Sequence, residues 1–256
     1  MYHLLTGLYS QFTERPNFNV LTLGINNSGK TAWLDKVRGQ VSKTGTRPLQ
    51  RITPTVGQNV INLPLSSCTL HCWDLGGQAS LRSMWTRYLD DAEVLVWAMD
   101  ANDWLSAADV PPPTAQEKAQ LPQEYQQDTG APSEADSSRR RNEAWSVLGD
   151  LRKNKHIASL PFLIIMTKID KLTPSQVEHF RLSIRDVMER KLSEFSSDEE
   201  RQQQDGLNGI AESGGVGSGN VGYWSDWHLI VCSAATGEGV SEFIEWLHVR
   251  AKLQKR

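Results

Sequence analysis

Apolar residues along the chain fall into two alternating patterns, short β-rich runs and longer stretches at helical spacing. Runs at residues 18–23, 60–64, 69–73, 94–99, 162–166 and 227–231 predict strands. Stretches at 30–38, 81–88, 143–154, 174–194 and 240–252 predict helices. Strands and helices taking turns predict an α/β fold, a six-stranded, mostly parallel sheet with helices on both faces. The second and third strands are too close in sequence for a parallel crossover, so that pair is expected as an antiparallel hairpin.

Two segments break the pattern. Residues 106–142 hold five of the eleven prolines and no amphipathic period, and residues 196–222 hold seven of the nineteen glycines. Such compositions offset little chain entropy by burial, so both are expected as disordered insertions. Arg139, Arg140 and Arg141 read as a solvated basic run in the first. The expected plan is an N-terminal amphipathic helix over 1–14, then one domain over 15–256 carrying both insertions, with about 190 residues outside them. Lys and Arg total 27 against 30 Asp and Glu, a net charge of −3 that supplies no cationic field for nucleic acid. Cys68, Cys72 and Cys232 form no C-x-x-C pair, which argues against a disulfide framework and fits a reducing compartment. The longest apolar run, 160–166, is far short of a bilayer span, and no basic then apolar leader opens the chain.

Directly after the first strand stands GINNSGKT, residues 24–31, which satisfies G-x-x-x-x-G-K-[ST] in strand-to-helix context. Glycines let the backbone curl so that its N–H groups point inward, and a helix N-terminus adds positive potential. Gly24, Asn27, Ser28, Gly29, Lys30, Thr31 and Ala32 are the candidate phosphate-binding residues, with the Lys30 ammonium on the β and γ groups and the Thr31 hydroxyl on Mg²⁺. WDLGGQ, residues 73–78, ends the third strand. Asp74 is placed to hold a magnesium-bound water, Gly77 to bring a backbone N–H to a γ-phosphate, and Gln78 to orient an attacking water. Between these motifs TPTVGQN, 53–59, offers Thr55 as a ligand that closes over Mg²⁺ and γ-phosphate.

The fifth strand runs into TKID, 167–170, and the sixth into CSAATGEG, 232–239. A carboxylate accepts from both N1–H and the exocyclic amine of guanine, whereas adenine presents an acceptor at N1 and no such amine. Asp170 therefore selects guanine, with the Lys168 stem on the base face and the Ala234 N–H on O6. Standing alone, TKID would read as a polar strand exit.

These segments together resemble the Ras-like small GTPases, and WDLGGQ points to their Arf and Arf-like branch. MYHLLTGLY, TPTVGQN, GGQASLRSMWTRY and CSAATGEGV are similar to the Arf-related subfamily. The resemblance implies a Ras-like P-loop fold, GTP/GDP and Mg²⁺ as ligands, and a switch that hydrolyses GTP slowly unaided. It implies Thr31 and Thr55 on Mg²⁺, Asp74 through water, Gln78 as the catalytic residue, and Thr167, Lys168, Asp170, Ser233 and Ala234 on guanine. It further implies an exchange factor, an activating protein, effectors, and a peripheral place on the cytoplasmic face of the Golgi or trans-Golgi network. The aromatics Trp85 and Tyr88 would help form the effector surface. Three residues depart from the family's pattern: Thr167 replaces an asparagine and loses an amide bridge, Ala32 replaces a threonine, and Gln58 replaces a phenylalanine.

N-myristoylation needs glycine after the initiator methionine, where this chain has Tyr2. Met1, Leu4, Leu5, Leu8 and Phe12 fall at helical spacing, which fits a membrane-facing stripe or one stowed on the domain. The family does both, and the Arf-related resemblance implies acetylation and a Golgi membrane-protein receptor. Two other readings remain: a nucleotide-gated adaptor or pseudo-GTPase scaffold with negligible hydrolysis, and a P-loop kinase or ATPase, which the guanine-type loops disfavour.

Overall fold

The computed structural model describes residues 16–126, 133–207 and 226–254, and only the backbone at 124 and 196–207. The expected helix over 1–14 and most of the second insertion lie outside these residues. Six strands, β1 (Asn17–Leu23), β2 (Gln58–Pro64), β3 (Thr69–Leu75), β4 (Val94–Asp100), β5 (Phe162–Thr167) and β6 (Trp227–Val231), form one sheet in the order β2-β3-β1-β4-β5-β6. All neighbours are parallel except the β2–β3 hairpin.

Every residue of β4 and β5 is buried, so these central strands read VLVWAMD and FLIIMT, runs without polar alternation. Edge strand β2 buries only Ile61 and Leu63. Successive β4 side chains enter opposite layers. Leu95, Trp97 and Met99 pack with Leu148, Phe180 and Ile184, while Val94, Val96 and Ala98 join Trp33, Phe243 and Leu247. The helices behind these layers are α1 (Lys30–Ser42), α2 (Thr86–Leu89), α3 (Ala115–Ala119), α4 (Gln123–Gln126), α5 (Glu134–Arg152), α6 (Lys155–Ser159), α7 (Pro174–Leu207) and α8 (Val240–Leu253). The three cysteines are free and buried, and burial pushes the Cys72 thiol up to about 12.

The local pattern was overridden in four places. The helix expected over 81–88 is a 3-10 turn, Ala79–Met84, followed by the single turn α2. Here Trp85 is buried, its ring meets Trp97 edge-on, and its Nε1 donates to the Gly76 carbonyl at 3.1 Å. That anchor holds Trp85 in the core. Helix α5 begins nine residues before the predicted start, inside the expected insertion, because Ser133 accepts from the Asp136 N–H and starts it. The basic run is only partly solvated: Arg140 bonds Asp103 at 2.8 Å and Arg141 bonds the Asp103 carbonyl at 2.6 Å. Within the same insertion α3 and α4 are helical, and α7 continues past residue 194 to Leu207.

Candidate nucleotide-binding site

The loops after β1, β3, β5 and β6 leave the sheet at its carboxyl edge, the crevice where open α/β sheets bind ligands. They surround a cavity of about 740 Å³, within the ordinary range for a small-molecule site.

Its floor is the turn from β1 into α1. Gly29, at φ 82°, precedes the helix, and no side chain caps it, so the first N–H groups of α1 are left for an anion. Asn27 adopts a left-handed φ of 61°, which its short polar side chain tolerates. The Lys30 ammonium donates to the carbonyls of Gly24 at 2.9 Å and Ile25 at 2.8 Å and to Ser28 Oγ at 3.2 Å. Burial pulls its pKa down to about 8, with the Asp74 carboxylate opposing. A multiply charged anion here would supply what burial removes.

Beside the lysine, the hydroxyls of Thr31 and Thr55 meet at 2.7 Å. Asp74 is fully buried, and neither carboxylate oxygen has a hydrogen-bond partner. Burial raises its carboxyl, while Thr31, Lys30 and Thr55 act to lower it. Two hydroxyls in front of an orphaned carboxylate are hard oxygen donors of the kind Mg²⁺ takes, so these residues fit that ion. Gly77 packs so closely on the phosphate loop that a Cβ there would lie 2.4 Å from the Gly24 carbonyl oxygen. Gln78 is half-buried at the start of the following turn and stands just outside the residues lining the cavity.

At the far end Thr167, Lys168, Asp170 and Ala234 line the cavity, and Ser233 lies fully buried behind them. Lys168 Nζ reaches the Asn27 carbonyl at 2.7 Å and Asp100 at 2.7 Å, tying the loop after β5 to the loop after β1. The Thr167 hydroxyl donates to the Ser28 carbonyl at 2.9 Å, with the Met99 carbonyl at 3.2 Å as second acceptor. With β5 bringing Thr167 against Gly29, its short side chain reaches the loop after β1. Ala32 lines the cavity, and Gln58 is exposed at the start of β2.

The sequence missed residues that also line the cavity. Leu49, Gln50, Ile52 and Pro54 belong to the turn between α1 and Thr55, a place that only their position between two motifs signals. Lys171 and Tyr125 line the base end, and Tyr125 comes from the segment set aside as an insertion.

The fold and the site define a P-loop nucleotide-binding domain. A model of the "Arf: ADP-ribosylation factor family" matches residues 4–108. ADP-ribosylation factor-like protein 3 of Saccharomyces cerevisiae is 27% identical over all of this chain and 96% of its own length. ADP-ribosylation factor-related protein 1 of Homo sapiens is 35% identical over 104 residues, 40% of this chain and about half (52%) of that protein. The structure of the mammalian SRP receptor aligns with a TM-score of 0.54 over 91% of this chain and 99% of its own, at 15% identity, a likeness of fold alone. Family match, relatives and site together make the chain similar to the small GTPases of the Arf and Arf-like family. That likeness supports a GTP-binding switch: the general chemistry of those proteins is GTP hydrolysis, and their general partners are exchange factors, activating proteins and effectors. Among the described residues, no helix is long and apolar enough to cross a membrane.

Proposed function

We propose that this chain is an Arf-like switch that binds GTP with Mg²⁺, hydrolyses it slowly unaided, and while GTP-bound recruits trafficking factors to Golgi membranes. The observation that carries the nucleotide reading is the convergence of Lys30, Thr31, Thr55 and Asp170 on one cavity, with Asp74 buried beside the two threonines. In this reading the loop amides from Gly24 to Ala32 and the Lys30 ammonium hold the phosphates, with Gly77 giving its N–H to the terminal one. Thr31 and Thr55 would hold Mg²⁺, with Asp74 behind them acting through water, and the charge supplied there would offset that of the terminal phosphates. Gln78 orients the attacking water, and an activating protein completes the charge stabilisation. Thr167, Lys168, Asp170, Ser233 and Ala234 form the guanine pocket.

The resemblance and the likeness to Arf-like and Arf-related relatives support the rest: residues 1–14 as an amphipathic helix released on GTP binding, a Golgi membrane-protein receptor, and a peripheral cytoplasmic location. Golgi staining that persists in a protein lacking residues 1–14 would overturn that part. The alternative, a nucleotide-gated adaptor with negligible hydrolysis, is favoured by the place of Gln78 outside the cavity lining. Single-turnover phosphate release separates the two. Measurable turnover, lost in Gln78→Leu with an activating protein present, supports the enzyme. No release from tightly bound GTP supports the adaptor.

A further inference from the structure

The chain between β4 and α5 does not stay apart from the nucleotide site. From Ala108 to Tyr125 it is tied across the start of α7. Ser183 donates to the Ala108 carbonyl at 2.7 Å, and Gln176 donates to the Pro111 carbonyl at 3.3 Å. Thr114 and Glu117 close a capping box around α3, and Glu117 also accepts from the Ser175 hydroxyl. The bond from Ser175, then those from Thr114, hold the Glu117 carboxyl down at about 2. The path ends at α4, where the Tyr125 hydroxyl donates to Asp170 Oδ2 at 2.8 Å and the Lys171 ammonium lies 5.4 Å from the Tyr125 ring centre.

Asp170 is thereby engaged on both oxygens. Ser233 Oγ donates to Oδ1 at 2.5 Å. The two donors differ in where they stand: Ser233 is fully buried and does not line the cavity, whereas Tyr125 does. Ser233 therefore supports the carboxylate from behind, and Tyr125 approaches it from the side a base must use. A guanine edge brings two N–H donors to such a carboxylate, and the one aimed at Oδ2 must come from the cavity side, where the phenol already takes the facing lone pair.

We propose that Tyr125 is a built-in competitor of the base, its hydroxyl holding the Asp170 oxygen that guanine must take, so that the 108–126 arm weakens guanine-nucleotide binding and speeds release. The proposal rests on the guanine reading of Asp170. The arm is a tether: its bonds to α7 keep the phenol at high local concentration beside the site, so each opening of the base contact meets a ready replacement donor. The ligand affected is the guanine nucleoside di- or triphosphate of the same site.

The test uses the full-length chain and fluorescent GDP, with release rate and equilibrium affinity as readouts. Tyr125→Phe keeps the ring and removes the hydroxyl. Release is expected to slow by about tenfold, the order that a hydrogen bond to a charged group is worth, with affinity rising in step. Tyr125→Ala is expected to slow release as well. Unchanged release in Tyr125→Phe overturns the proposal. So does faster release in Tyr125→Ala with Tyr125→Phe neutral, which would mean that the ring packs on the base and helps it. Asp170→Asn, tested beside them, separates this from the underlying reading. An amide offers a donor to the second carbonyl of xanthine, so preference should pass from guanine to xanthine nucleotides. Retained guanine preference there overturns the base assignment itself, and the competitor with it.

Discussion

At the scale of single residues, the site depends on side chains that hold its loops together as much as on those that face the ligand. Thr167 is one: its hydroxyl is the donor to the buried Ser28 carbonyl. Thr167→Val keeps the shape and removes the donor, so it should cost about 1 to 2 kcal/mol of stability and weaken GDP binding several-fold, read by urea unfolding and nucleotide titration. Lys30 is another. Its folded pKa, about 8, lies below the usual 10.5, so between these values the unfolded chain binds the proton that the folded one has released. Stability from this group therefore rises with pH across that window, and burial costs most where the lysine is charged in both states, below about pH 8. In unfolding without nucleotide, the difference between the native chain and Lys30→Met should shift in favour of the native chain by up to about 3 kcal/mol from pH 8 to 10.5. A flat difference would mean that the ammonium is not burdened by burial.

At the scale of elements, local chemistry explains both what could be read ahead and what could not. The motifs at 24–31, 73–78, 167–170 and 232–239 were legible because each couples a strand exit to residues with one chemical purpose. All six strands fall within two residues of the expected bounds at both ends, and β1, β4, β5 and β6 within one, because those four carry apolar runs. Helix α5 was drawn short because Glu134 to Asn142 is too polar to show an apolar face; its start is set by the Ser133 cap and by Arg140 and Arg141 reaching Asp103. Ser133→Ala should therefore lower stability by about 1 kcal/mol and leave GTP affinity unchanged, since the cap lies outside the cavity. Tyr125 was missed for a different reason. A lone tyrosine in a Pro- and Gln-rich stretch carries no periodic signal, and its bond to Asp170, 45 residues away, exists only through tertiary folding.

At the scale of the whole molecule, the sheet order brings four distant loops to one edge, and the two ends of the cavity are joined by Lys168 bridging to Asn27. The phosphate and base ends of the proposed site are thus mechanically coupled. Damage to either end should be felt at the other: Lys168→Met should loosen guanine nucleotides and also lower the Mg²⁺ dependence of their release, measured as release rates with and without chelator.

The most direct test of the central claim is titration of the purified chain with labelled GTP, GDP and ATP, with and without Mg²⁺. The account predicts tight guanine binding that ATP does not displace, strengthened by Mg²⁺ through Thr31, Thr55 and Asp74. Displacement of GTP by equimolar ATP, or binding indifferent to Mg²⁺, would contradict the assignment of Asp170 to the base or of the threonine pair to the metal.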